Sequence, residues 1–259
     1  MILYFRKMSV AAAFIFLVAT NIALMPAKAE SQEVKEKPRL YTYVAVWSFP
    51  RSEWSAFAAP NTAADDLITK TLASGKLVGI GVANSLMHHA DGITHMNWWS
   101  SMTEAGLFNY LDQESGLPPD PALAKATKHA DYIVASTHYN RKAATVKAGY
   151  QMVSYLRLKD DAPEKAVSLI AKTIVTPVME KLFSDGAIVE YQLSTEDFQS
   201  GPARGFWIEW IATNAEAFDK VSAAWRDAAG KNPIFDATNG FIDWDAARDY
   251  VYHVDATLK

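Results

Sequence analysis

From residue 40 onward the chain is a series of short apolar runs that switch between strand-like alternation and helical spacing. Leu40 to Phe49 (LYTYVAVWSF) is rich in aromatic and β-branched residues and predicts a strand. Thr62 to Ser74 places Leu67, Ile68 and Leu72 on one helical face, with Gly75 as a stop. Leu77 to Ala83 (LVGIGVA) and Thr94 to Ser101 (THMNWWSS) predict two further strands, with a turn at Asp91-Gly92 between them. Thr103 to Gln113 predicts a second helix with Ala105, Leu107, Phe108 and Leu111 as its apolar face. A proline-rich link, Leu117 to Pro121, leads through a short helix to a fourth strand at Asp131 to Ser136, and His138 falls in the connector that follows.

The same order then repeats. Tyr150 to Leu158 predicts a strand, and Pro163 to Phe183 a long helix that Pro177 bends. Ala187 to Leu193 and Gly205 to Ala212 predict strands. Asn214 to Ala229 predicts a helix with Asn214 as N-cap and Gly230 as stop, and Asp249 to Ala256 a closing strand. Each half reads β-α-β-β-α-β. Asp131-Tyr132-Ile133-Val134 is echoed by Asp249-Tyr250-Val251-Tyr252, and Trp98-Trp99 by Phe206-Trp207.

One such unit carries helices on a single face of its sheet, so the other face must be covered. The expected fold is therefore α+β, two ferredoxin-like units (40–140 and 141–259) packed sheet to sheet as a pseudo-dimer. This topology resembles the dimeric α/β-barrel superfamily, fused in tandem. That superfamily includes cofactor-independent monooxygenases, EthD-like proteins and haem-using chlorite dismutases. The resemblance implies a small-molecule site between sheet and helices or between the paired sheets.

Strand alternation sorts the side chains. In the first strand Val44 and Val46 share one face, and Tyr41, Tyr43, Trp47 and Phe49 the other. The small pair suits the helix-covered side, which would turn the aromatic row toward the opposing sheet. His95 and Trp99 share a face of the third strand, and Tyr155 lies mid-strand in the second half. Glu190 and Glu209 stand inside otherwise apolar strands, where a carboxylate is costly to bury unless paired or protonated. They face either the space between the halves, as a polar lining, or a solvated edge. The candidate site is thus His95 as catalytic base, with Trp47, Trp99, Tyr155, Glu190 and Glu209 as substrate contacts. His253 in the last strand is a further group that could face the interior.

The densest polar cluster runs from Met87 to Trp99 and holds His88, His89 and His95. Adjacent histidines in extended chain point to opposite sides, and no third ligand stands near, so no metal site is expected. The glycines of Gly75 to Gly81 do not open a helix and form no dinucleotide fingerprint. No motif calls for a cofactor.

The first 29 residues change the setting. Arg6 and Lys7, an apolar run from Ser9 to Leu24, and Ala27-Lys28-Ala29 have the layout of a secretory signal cleaved before Glu30. Residues 30–39 are polar and read as a flexible spacer. The segment carries Arg6, Lys7 and Lys28 and no acid, so its removal takes the net charge from −4 to −7. Cleavage leaves no stable membrane anchor, and the expected location is periplasmic or secreted. The chain has no cysteine, which excludes disulfides, thiolate metal sites and a thiol nucleophile. Its acidity argues against a nucleic-acid partner. Two classes of function remain. One is a barrel that binds a small apolar or aromatic molecule, as a binding protein or a cofactor-free monooxygenase-like enzyme. The other is a non-catalytic periplasmic binding, structural or interaction protein.

Overall fold

A computed structural model describes residues 37–57, 62–118, 120–198 and 203–259. Residues 1–29, the expected export signal, and residues 30–36 lie outside them. Eight strands run β1 (Leu40–Ser48), β2 (Gly79–Ser85), β3 (His95–Ser101), β4 (Lys128–Arg141), β5 (Ala144–Arg157), β6 (Glu190–Glu196), β7 (Gly205–Ala212) and β8 (Arg248–Leu258). They close into an antiparallel barrel in the order β1-β3-β2-β8-β5-β7-β6-β4. Within each half the order is that of a ferredoxin-like unit. The halves do turn one face of each sheet toward the other, but they are not two stacked sheets. They are joined edge to edge, β2 to β8 and β4 to β6. Closure satisfies every edge that two separate sheets would leave open.

The helices are α1 (Trp54–Phe57), α2 (Thr62–Ala73), α3 (Glu104–Ser115), α4 (Ala166–Ile170), α5 (Thr176–Ser184), α6 (Glu216–Lys231) and α7 (Pro233–Asn239). Three apolar cores result among the described residues. Leu72, Leu107 and Tyr110 from α2 and α3 pack on Ala45 and Trp99 outside the first half. Ile170, Met179, Leu182 and Val221 pack on Tyr191, Phe206 and Trp210 outside the second. Met96, Trp98, Val153, Tyr252 and Val254 fill part of the barrel interior.

The long helix around Pro177 breaks for a readable reason. Proline cannot donate to the carbonyl four residues back, which belongs to Thr173. The chain makes a π turn over Ala171–Val175, and Asn232 Nδ2 donates to the freed Thr173 oxygen at 3.0 Å. The same Asn232 caps α7, accepting from the Ile234 amide at 3.0 Å.

Several expectations are corrected. The aromatic face of β1 points the other way: Tyr41, Tyr43 and Trp47 pack under the helices, while Val44 and Val46 face the interior. On this strand the small pair stands beside rings from its neighbours: Val44 is the register partner of Trp98 on β3 and of Tyr132 on β4, which take the interior space. The rings of β1 itself fill the layer under α2 and α3. His138 belongs to β4, which is longer than expected and runs to Arg141, leaving 142–143 as the link between halves. The helix begun near Asn214 starts at Glu216, runs through Gly230 to Lys231, and is followed by an unanticipated α7.

Candidate functional site

The barrel interior is only part filled. A cavity of about 650 Å³ occupies the end where β4 begins and β5 and β6 finish. Its walls are mainly apolar and aromatic: Val44, Val46, Met96, Val134 and Val153, with Tyr132, Tyr155, Trp207, Tyr250 and Tyr252. An apolar enclosure with few polar groups is the usual character of a small-molecule site. Two of its polar groups point to chemistry. The Tyr155 hydroxyl is buried without a hydrogen-bond partner among the described residues. The Glu209 carboxyl stands on the cavity wall deep within the barrel.

Glu209 belongs to a chain of buried side chains. Trp98 Nε1 donates to Gln151 Oε1 at 3.2 Å, and Gln151 Nε2 donates to Glu209 Oε2 at 3.2 Å. Gln192 also hydrogen-bonds Glu209, and Ser136 Oγ donates to Gln192 Oε1 at 3.0 Å. Beyond Gln192 lies Glu190, ion-paired to Arg141. Burial, reinforced by the Glu190 charge, pushes the Glu209 carboxyl from its ordinary 4.5 up to about 8. The amide hydrogen bonds and Arg141 oppose that shift without reversing it.

The histidine-rich turn lies at the mouth. Gly92 takes φ +79°, which its lack of a side chain permits, and the Asp91-Gly92 corner is tied down on both sides. Tyr250 Oη donates to Asp91 Oδ2 at 2.5 Å, and Lys128 Nζ donates to the Asp91 carbonyl at 2.7 Å. The ring of His89 lies 4.7 Å from that of Tyr250. No group of three or more histidines and acids among the described residues is placed to hold a metal ion.

The expected site residues are divided by the barrel wall. Tyr155 and Glu209 line the cavity. Glu190 is inside the barrel but turned to Arg141 rather than to the cavity. The barrel has no open edge, so neither carboxylate sits on a solvated one. His95, Trp47 and Trp99 lie on the opposite face of the wall. His95 is buried between Phe49 and Trp54, whose rings meet it edge-on at 5.1 and 5.2 Å, and its Nδ1 is 2.8 Å from Thr94 Oγ1. Burial pushes its pKa down to about 4. Trp47 stacks on His129 at 3.6 Å, and Trp99 packs between Tyr43 and Tyr110. His253 is exposed on the outer side beside Tyr150. Tyr132, Tyr250 and Tyr252 were passed over. The echo of Asp131-Tyr132 in Asp249-Tyr250 was their signal, because matching positions in two halves of one barrel face the same interior.

Among solved structures, a candidate monooxygenase from Fusobacterium nucleatum superposes with a TM-score of 0.62 at 10% identity, over 86% of this chain and 95% of that one. One from Lactobacillus acidophilus gives 0.58 at 11% identity, over 85% and 96%. This chain carries the dimeric α/β-barrel fold in a single polypeptide. An anthrone oxidase-like protein matches the fused barrel with a TM-score of 0.50 at 10% identity, over 86% and 94%. Identities at this level speak for the shared fold and not for a shared reaction. No protein-family profile and no curated protein matches the fused barrel's sequence.

Proposed function

We propose that this fused barrel is an exported protein that binds a small apolar or aromatic molecule in its interior. There Glu209 exchanges a proton with the bound molecule, as a cofactor-free monooxygenase-like enzyme would require. The observation that carries the reading is the coincidence of an aromatic cavity of about 650 Å³ with one wall carboxyl raised to about 8. A carboxyl in that range populates both forms near neutral pH, the condition for efficient general acid–base work. The unpartnered Tyr155 hydroxyl is a second anchor for a polar atom of the ligand. The likeness to candidate monooxygenases and to an anthrone oxidase-like protein is consistent with this class of chemistry. Export rests on the layout of residues 1–29.

The test is titration with N-phenyl-1-naphthylamine, a neutral aromatic probe that fluoresces on leaving water. Wild type is expected to bind it saturably, and Val153→Trp, which fills the cavity from its wall, to lose binding while remaining folded. Equal binding by both proteins would sink the reading. Mass spectrometry of the chain recovered from a periplasmic extract checks export, with an N-terminus at Glu30 as the expected result.

A further inference from the structure

Two carboxylates and one guanidinium share the barrel interior next to the cavity, and their contacts are unequal. Arg141 on β4 and Glu190 on β6 are register partners across the ladder that closes the barrel. One Arg141 nitrogen, Nη2, meets Glu190 Oε1, while Nη1 donates to the Val78 carbonyl at 2.8 Å. The guanidinium is therefore held at Glu190, where burial raises the carboxyl and the Arg141 charge and hydrogen bond pull it back down, a counterweight in direct contact that Glu209 lacks. Glu209 receives only neutral donors, Gln151 from β5 and Gln192 from β6. The other titratable groups of its cavity are Tyr132 on β4, Tyr155 on β5, and Tyr250 and Tyr252 on β8, all phenols that burial pushes further up and so leaves neutral. Asp91, Lys128 and His129 stand at the mouth.

We infer that the Arg141–Glu190 pair is a positioning pair. It holds the anionic charge on Glu190 and so keeps the proton of the two-carboxyl system on Glu209, presenting the cavity with a neutral carboxylic acid. Charge balance sets where the proton sits. A buried interior tolerates one anion beside one cation, but a second anion without a cation of its own is costly. Direct contact decides which carboxylate is the anion, and repulsion from it retains the proton on the other. An acid so placed donates a hydrogen bond to a neutral acceptor, such as a carbonyl oxygen, and disfavours an anionic ligand. The inference rests on Glu209 being the proton-handling group of the proposed function, but it can be read without any ligand.

The readout is the C=O stretch of a protonated carboxylic acid in infrared spectra of the full ligand-free chain across pH. Wild type is expected to show absorption of this kind at pH 6 from Glu209 and from Glu114, whose carboxyl is pushed up to about 7 by burial; Glu209→Gln is expected to remove the band that is lost as pH rises through about 8. Glu190→Gln leaves Arg141 without its anion, and the midpoint of the band is expected to fall by about 1–3 pH units. Arg141→Gln is expected to move it the opposite way. A merely structural pair would not give shifts of opposite sign. A wild-type-minus-Glu209→Gln difference spectrum without a protonated-carboxyl band at pH 6 would put the proton elsewhere and overturn the inference, even if the other two variants did not fold. So would an unmoved or raised midpoint in folded Glu190→Gln. Naphthylamine titration of the same proteins separates the two readings. The predicted shifts with no probe binding in wild type would remove the proposed function alone. Probe binding with an unmoved band would remove the positioning pair alone.

Discussion

The two halves of the barrel share one topology but fill their interiors differently. In the first half Val44 on β1 is paired with Trp98 on β3, and Trp98 with Gly81 on β2. In the second, Val153 on β5 is paired with Glu209 on β7, and Glu209 with Gln192 on β6. Trp98 and Glu209 thus occupy equivalent places, as do Gly81 and Gln192, and Gly79 and Glu190. On the first side an indole lies across two glycines. A Cβ on Gly81 would overlap the Trp98 ring, and one on Gly79 would come within 3.2 Å of it and 2.6 Å of Arg141 Nη1. On the second side the same positions carry two acids and an amide. The difference teaches that a near-symmetric backbone can be plugged on one side and polar on the other. The plug is also tied to the polar side, since Trp98 donates to the glutamine that holds Glu209.

The comparison breaks most visibly at the plug. Trp98→Ala is expected to cost about 3–5 kcal/mol in denaturant unfolding, as for other buried aromatic truncations. A cost under about 1 kcal/mol would mean that the indole does not fill the first half. Gly81→Val drives a branched side chain into the same ring and is expected to cost about 1–3 kcal/mol. The double variant Gly81→Val with Trp98→Ala should then lose less than the sum of the two. Strict additivity would show that glycine and tryptophan are not spatial partners.

On the polar side the effect appears as pH dependence. A carboxyl raised from 4.5 to about 8 binds its proton more tightly in the folded chain. Its stabilising contribution is fully present below about 4.5 and is lost as pH rises through about 8. Glu209→Gln should flatten that decline in unfolding experiments between pH 5 and 9, and an unchanged slope would place the proton elsewhere. His95 gives the smallest effect and the opposite sign. Its pKa is pushed below the ordinary 6.5 to about 4, so its contribution is lost as pH falls from 6.5 through about 4. His95→Gln should reduce the acid sensitivity and leave probe binding unchanged. A large loss of binding would return His95 to the site.

Much of the architecture was legible along the chain. The β-α-β-β-α-β order of each half, the helices begun near Thr62 and Thr103 and the turn at Asp91-Gly92 all follow from local spacing. So did the oddity of Glu190 and Glu209 in apolar strands. The assignment of faces was not legible. Alternation separates Val44 from Trp47 and Met96 from His95, but it is symmetric: it says which residues share a side and not which side is inside. Size was no guide, because both sides of the wall hold rings: Tyr43, Trp47 and Trp99 lie outside, and Trp98, Tyr132 and Tyr252 inside. His95, Trp47 and Trp99 were therefore drawn into the candidate site from the far side of the wall. Arg141 was missed because its meaning depends on β6, 49 residues later in the chain.

By itself the sequence determined the repeat, the elements and the presence of acids that need partners, since period and composition act over a few neighbouring residues. Tertiary structure alone decided which of those acids has a cation and which holds the proton. It also decided which faces line the cavity. The physical reason is that closure occurs at two ladders, β2–β8 and β4–β6, between strands distant in the chain. Charge balance in a buried space is set by whatever that closure brings into contact.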